Sequence, residues 1–216
     1  MVVLLFMKLN KEGMLIIISG PSGVGKGTVK KLLLDRIKNN LVYSVSMTTR
    51  DPRINEKNGK DYFFVSKKFF EDKIKENYFL EYNEFIGNYY GTPKIKVIEE
   101  LKNNKDVLLE IDVQGALKIS HNFIKSKSIF IFLAPPSISI LQNRIKCRNT
   151  ESLQTINERI DKARQELLLI KKIKKYDYMI INDQLDETVN IIMSILVAER
   201  VKFKRMIKSY SSKILI

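Results

Sequence analysis

The stretch ISGPSGVGKGTVKK, residues 18–31, decides how the rest of the chain is read. From Gly20 to Lys26 it follows the phosphate-loop pattern G-x-x-x-x-G-K-[ST], but Gly27 stands where the hydroxyl residue belongs and Thr28 comes one place late. Its setting is the one such a loop needs. The apolar run MLIIIS (14–19) leads in as a strand, and KGTVKKLLLDRIK leads out as a helix starting near Gly25. Glycines let the backbone wrap an anion, with N–H groups pointing inward and the positive end of the new helix behind them. Gly20, Pro21, Ser22, Gly23, Val24, Gly25, Lys26, Gly27 and Thr28 are therefore candidate nucleotide-phosphate ligands, with Lys26 as a point charge on the β- and γ-phosphates. Adjacent helical residues point about 100° apart, so Thr28 does not replace a hydroxyl at 27. Mg²⁺ is then expected to rest on phosphates and water, which suits an ion that keeps several waters.

Working outward, DVLLEIDV (106–113), SIFIFLA (128–134) and DYMIIN (177–182) read, with 14–19, as strands buried on both faces. Helical patterns lie between them. One begins at Thr92 as N-cap with Pro93 in the first turn, and others cover about 137–147, 152–172 and 185–208. Strand–helix alternation of this kind predicts an α/β fold, a parallel sheet flanked by helices as a P-loop NTPase core. Residues 47–91 break the rhythm with aromatics, charge and turn pairs, and are expected to form a small mixed α+β insert of short antiparallel strands around a helix at 66–77. The expected division is an N-terminal extension at 1–12, a core at 13–46 and 92–216, the insert at 47–91, and a helical lid at about 142–162.

The bulk numbers agree with one sizeable core. The chain has 216 residues, 44% hydrophobic and 29% charged, which excludes disorder. A single cysteine, Cys147, forms no internal disulfide and suits a reducing, cytoplasmic compartment. The opening MVVLLF is too short for a signal peptide or a span, and Met7 and Met14 are alternative starts. The net charge of +14 comes from lysines spread along the whole chain, without the aromatic interleaving of a nucleic-acid groove. Neither a nucleic-acid nor a membrane partner is expected. His121 reads as a helix-end residue, Cys147 as a small packing residue, and no metal-ligand cluster stands out.

Arg50 and Arg53 stand three apart in SMTTRDPR, a turn where a planar guanidinium can grip phosphate by two hydrogen bonds; Tyr62 and Tyr90 are candidate hydroxyl donors to the same anion. Glu110 and Asp112 lie at i and i+2 on an expected strand, on one face, where buried carboxylates need a cation or ligand.

Taken in order, GPSGVGKGT, SMTTRDPRINEKNGKDYFFV, EFIGNYYGTP, LEIDVQG and IFIFLAPPS resemble the guanylate kinase family over residues 14–200. Family members end the loop in either GKS or GKGT, so Gly27 lies within its range. The resemblance implies that Arg50, Arg53, Tyr62 and Tyr90 hold the phosphate of GMP, that Ser46, Glu81 and Thr92 read guanine, and that Asp112 lies near GMP and the waters of the metal. Glu110 departs from the Asp of many members. Arg144, Arg148 and Arg159 match lid arginines, with Arg164 a further one, and Asn182 matches a position near the adenine of ATP. Catalysis would fall to Lys26, Arg50, Arg144, Arg148 and Arg159, since phosphoryl transfer asks for positioning and charge neutralisation.

The expected reaction is MgATP-dependent phosphorylation of GMP, and of dGMP, by a monomer or homodimer. Two alternatives stand beside it. One is a scaffold domain of the same fold that binds peptides, in which the loop and lid arginines usually degrade. The other is a related kinase with a different phosphorylated acceptor.

Overall fold

The computed structural model describes residues 12–38, 40–121, 127–146, 153–170 and 175–207. In chain order, β1 (Leu15–Ser19), α1 (Lys26–Arg36) and β2 (Leu41–Tyr43) come first. β3 (Met47–Thr48), β4 (Phe63–Phe64), α2 (Lys67–Lys75), β5 (Phe79–Phe85) and β6 (Asn88–Pro93) follow. Then come α3 (Lys94–Lys102), β7 (Asp106–Glu110), α4 (Val113–Ser120), β8 (Ser128–Ala134), α5 (Ile138–Lys146), α6 (Leu153–Ile170), β9 (Tyr178–Ile181) and α7 (Leu185–Arg200).

The main sheet is parallel, in the order β2-β7-β1-β8-β9. Every residue of central β1 is buried, and its period-2 alternation builds two layers. Ile16 and Ile18 face one way, into a cluster with Val29 and Leu33 of α1 and Ile192 and Leu196 of α7. Leu15 and Ile17 face the other way, with Val97 and Leu101 of α3 and Ile119 of α4. Burying each such side chain contributes about 1.5–3 kcal/mol relative to leaving it exposed. This core fixes the loop after β1 at the carboxyl edge of the sheet, where open α/β sheets bind ligands.

The second sheet runs β4-β3-β6-β5 and packs beneath α2. Ser66 caps α2 by accepting from the Phe69 N–H, and Phe70 stacks between Phe79 at 4.3 Å and Tyr89 at 5.2 Å. Pairings β3–β6 and β5–β6 are antiparallel as expected, but β3 and β4 run parallel. Segment 49–62 supplies the long crossover that parallel neighbours require.

Three boundaries differ from the sequence expectation. Thr92 is no helix cap: it lies in β6, and Pro93 precedes α3, because the Thr92 hydroxyl is committed to a cross-strand partner. β7 stops at Glu110, since Asp112 leaves the strand to cap α4 by accepting from the Gly115 N–H. α7 ends at Arg200, whose guanidinium is ion-paired with buried Asp106, and a separate helical turn covers 203–207. β2 was not anticipated, being only three residues long. His121 does cap the end of α4. No helix among the described residues is long and apolar enough to cross a membrane.

Candidate active site

The loop between β1 and α1 is clamped from outside. Gly25 caps α1 with φ +100°, and a Cβ there would meet Asn182 Nδ2 at 2.7 Å. That amide donates to the Val24 carbonyl at 2.7 Å, and Arg144 of α5 donates to the Asn182 carbonyl at 3.0 Å. From α6, buried Arg159 donates to Ser22 Oγ at 3.0 Å. Lys26 Nζ donates to the carbonyls of Gly20 and Pro21, at 2.6 and 3.1 Å. Burial lowers its pKa below the ordinary lysine value, while the carboxylates of Glu166, Glu110 and Asp112 pull the other way. The ammonium therefore sits on the loop among acids, held by two loop carbonyls.

Across a cleft of about 590 Å³ stands the insert. Glu81 and Thr92 are cross-strand partners, and Thr92 Oγ1 donates to Glu81 Oε1 at 2.7 Å inside a buried pair. Burial pushes the Glu81 pKa up to about 7; the Thr92 hydrogen bond opposes this and the nearby Asp112 charge adds to it. Glu84 lies on the other face of β5, exposed. Arg50 makes a bidentate pair with Glu56, at 2.9 and 3.0 Å, and Glu56 also accepts from the Arg53 N–H at 2.8 Å. The Arg50 guanidinium lies 5.4 Å from the centre of the Tyr62 ring, and Tyr62 meets Tyr90 edge-on at 6.0 Å.

The floor between the two walls carries the paired acids. Glu110 is bridged by Lys30 of α1 at 2.9 Å, and Asp112 by Lys162 of α6 at 3.0 Å. Asn83 of β5 also donates to Asp112 Oδ2 at 3.0 Å. Burial opposes ionisation of Asp112, but Lys162, the Gly115 N–H and Asn83 outweigh it and hold the carboxyl below its usual range. A basic loop at a helix N-terminus thus faces an arginine-bearing wall with a recessed acid. Cationic groups on both walls suit anionic ligands, and the recessed carboxyl suits a group that donates hydrogen bonds.

This arrangement agrees with a match to the guanylate kinase family model over residues 12–199. The chain belongs to the guanylate kinase family. It is 52% identical over 196 residues to the guanylate kinase of Clostridium tetani, covering 91% of each chain. It is 48% identical to that of the onion yellows phytoplasma, over 94% of each chain. Among solved structures, guanylate kinase from Anaplasma phagocytophilum superposes with a TM-score of 0.77 at 31% identity, covering 96% of this chain and 97% of that one.

In this guanylate kinase family member, Gly20, Ser22, Gly23, Gly25, Lys26 and Gly27 line the cleft on the loop side. Ser46, Arg50, Arg53, Tyr62, Glu81 and Tyr90 line it on the other side, Glu110 and Asp112 line its floor, and Thr92 lies directly behind Glu81. Arg159 reaches the cleft, whereas Arg144 and Asn182 brace the loop from behind. The Val24 side chain is buried in the core, and Thr28 is exposed on α1 and outside the cleft lining, as the 100° helical step requires. Arg164 pairs with Asp161 on the outer surface of α6. Arg148 and Cys147 lie outside the described residues, as does the middle of the expected lid.

Glu56, Lys30, Asn83, Lys162 and Glu166 were missed. Only Lys162 and Glu166 left a signal, recurring at i+3 and i+7 from Arg159 on one helix face. Mg²⁺ fits this site as a hydrated ion. Among the described residues no group of three or more His, Cys, Asp or Glu could ligate a metal, and position 27 offers no hydroxyl. A Cβ at Gly27 would lie 3.6 Å from Glu110 Oε1, so an acidic oxygen stands beside the loop to accept from metal-bound water.

Proposed function

We propose that the chain transfers the γ-phosphoryl group of ATP to GMP, giving ADP and GDP, and that it accepts dGMP less well. The observation that carries this reading is a buried, hydroxyl-backed carboxylate, Glu81, facing the same cleft as the Lys26 loop. Guanine offers N1–H and N2–H₂ side by side, and an ionised Glu81 accepts both. Adenine would set an acceptor against it and leave it unpaired, which a site built on hydrogen bonding rejects by several orders of magnitude.

In this mechanism the loop N–H groups and Lys26 hold the donor phosphates, and Arg50 and Arg53 aim the acceptor phosphate in line. Tyr62 and Tyr90 orient that acceptor phosphate, and Ser46 and Thr92 complete the guanine pocket. Arg144 of α5 and Arg159 of α6 add positive charge beside the loop, the family resemblance adds Arg148 to them, and Asn182 supports the adenine side. Mg²⁺, when bound, would supply charge neutralisation for the transfer, and Asp112, with Glu110 beside the loop, would hold it through its waters. The acceptor is already an anion, so no residue is assigned as general base. The compartment assigned is the cytoplasm, in keeping with a single cysteine.

An acceptor panel tests the reading. With MgATP, GMP is turned over fastest and dGMP more slowly, while AMP, CMP and UMP give no comparable rate. A similar or higher rate with one of those three overturns the guanine assignment.

A further inference from the structure

α6 presents three charged residues on one face, Arg159, Lys162 and Glu166, at i, i+3 and i+7. They do not serve one subsite. Arg159 holds Ser22 of the phosphate loop, whereas Lys162 reaches the opposite wall. Its ammonium lies 3.0 Å from Asp112 Oδ2 and 3.8 Å from the centre of the Phe85 ring, at the end of β5 in the insert. The same ammonium lies 4.0 Å from Glu166 Oε1. Glu166 is buried, its carboxylate oxygens have no well-formed hydrogen bond, and Lys26 is the leading cation acting on it.

One flexible cation therefore has two carboxylates in reach. Asp112 belongs to the acceptor floor, shared with Asn83 of the insert. Glu166 belongs to the loop side, next to Lys26. A charge shared between groups of two subsites is a physical link through which each subsite can bias the other.

We infer that Lys162 is a positioning residue that couples occupancy of the phosphate loop to occupancy of the acceptor wall, through its shared contacts with Asp112, Phe85 and Glu166. The inference rests on the two-substrate reading above. With the loop filled, Lys26 exchanges the Gly20 and Pro21 carbonyls for phosphate, the added negative charge changes the field at Glu166, and Lys162 divides its charge differently between Glu166 and Asp112. The arrangement of Asp112, Asn83 and Phe85 that meets GMP shifts with it. Coupling of this kind is reciprocal, so each ligand tightens the other by the same factor.

Calorimetry on the full chain tests it, using GMP and a non-hydrolysable ATP analogue with Mg²⁺. For the unaltered protein, the analogue lowers the Kd of GMP by about 5-fold or more. Lys162→Met keeps the stem and drops the charge; it brings that factor to within about 2-fold of unity, while each ligand alone binds within about 3-fold of normal. Lys162→Arg restores at least half of the effect on a logarithmic scale, and Phe85→Leu, altering the contact from the insert side, lowers the factor in part. The inference is overturned if the unaltered protein shows no coupling or Lys162→Met leaves the factor intact. It is equally overturned if that variant weakens both ligands alike with the factor unchanged, the mark of a merely structural role. Should Lys162→Met fail to fold, an unchanged factor in Phe85→Leu overturns it. Failure of the unaltered protein to bind or turn over GMP instead removes the function reading itself.

Discussion

Thr92 Oγ1 donates a 2.7 Å hydrogen bond to Glu81 Oε1 across the β5–β6 ladder, and both residues are buried. The bond, with a second one from the Thr92 backbone, holds the carboxylate oriented before any ligand arrives. Thr92→Val keeps the shape and removes the donor, leaving a buried acceptor short of a partner at a cost of about 1–3 kcal/mol. The expected result is a rise of about 10-fold or more in the KM for GMP, with the KM for ATP little changed. Equal effects on both substrates would remove Thr92 from the guanine pocket.

Glu81 also sets a pH dependence. Its folded pKa of about 7 lies above the ordinary 4.5 because the group is buried. Between those values the folded protein keeps a proton that the unfolded chain has lost. The Glu81 contribution to stability therefore falls as pH rises from about 4.5, and the loss is complete above about 7. Guanine donors require the ionised form, so GMP binding expels the remaining proton. Calorimetry at pH 7 in buffers of different ionisation enthalpy is expected to show about half a proton more released by the unaltered protein than by Glu81→Gln. Identical release by the two would show that Glu81 is already ionised in the free protein.

Gly25→Ala probes the loop. The substitution meets a φ of +100° and places Cβ 2.7 Å from Asn182 Nδ2. Strain of about 1–3 kcal/mol follows, together with displacement of the amide that holds the Val24 carbonyl. Thermal unfolding is expected several degrees lower, at about 2–4 °C per kcal/mol for a chain of this size, and the KM for ATP more than about 10-fold higher. A variant with unaltered Tm and ATP kinetics would contradict the clamp.

Gly27→Ser tests the missing hydroxyl. The added Cβ finds ordinary contact distances to Glu110, 3.6 and 3.9 Å, so the site has room. Replacing glycine in the first turn of α1 is expected to raise stability by about 0.5 kcal/mol. With a hydroxyl restored beside the loop, half-maximal activity is expected at lower Mg²⁺. An unchanged Mg²⁺ requirement would mean that phosphates, water and the neighbouring acids already satisfy the ion.

Much of this was legible in sequence because it is local. The run Leu15–Ser19, the glycines of 20–25 and the pattern of α1 are consecutive, so strand, loop and helix can be read from one stretch. Glu81 and Asp112 were nameable through five motifs in register. Boundaries failed where distant partners intervened. Thr92 looked like a helix cap until Glu81, eleven residues earlier, claimed its hydroxyl. Asp112 left its expected strand to cap α4, and β3 and β4 paired in parallel where hairpin logic favoured the opposite sense.

The sequence by itself determined a parallel α/β core, a phosphate loop lacking its usual hydroxyl, and a set of arginines and acids suited to a second phosphorylated ligand. Hydrophobic period and glycine placement carry that information along the chain. Tertiary structure alone decided which charges are shared: Arg50 with Glu56, Glu110 with Lys30, and Lys162 between Asp112 and Glu166. The partners stand 6, 80, 50 and 4 residues apart. Electrostatic pairing depends on separation in space: one helical turn brings Lys162 to Glu166, but only the folded sheet with its insert brings Lys30 to Glu110 and Lys162 to Asp112 at about 3 Å.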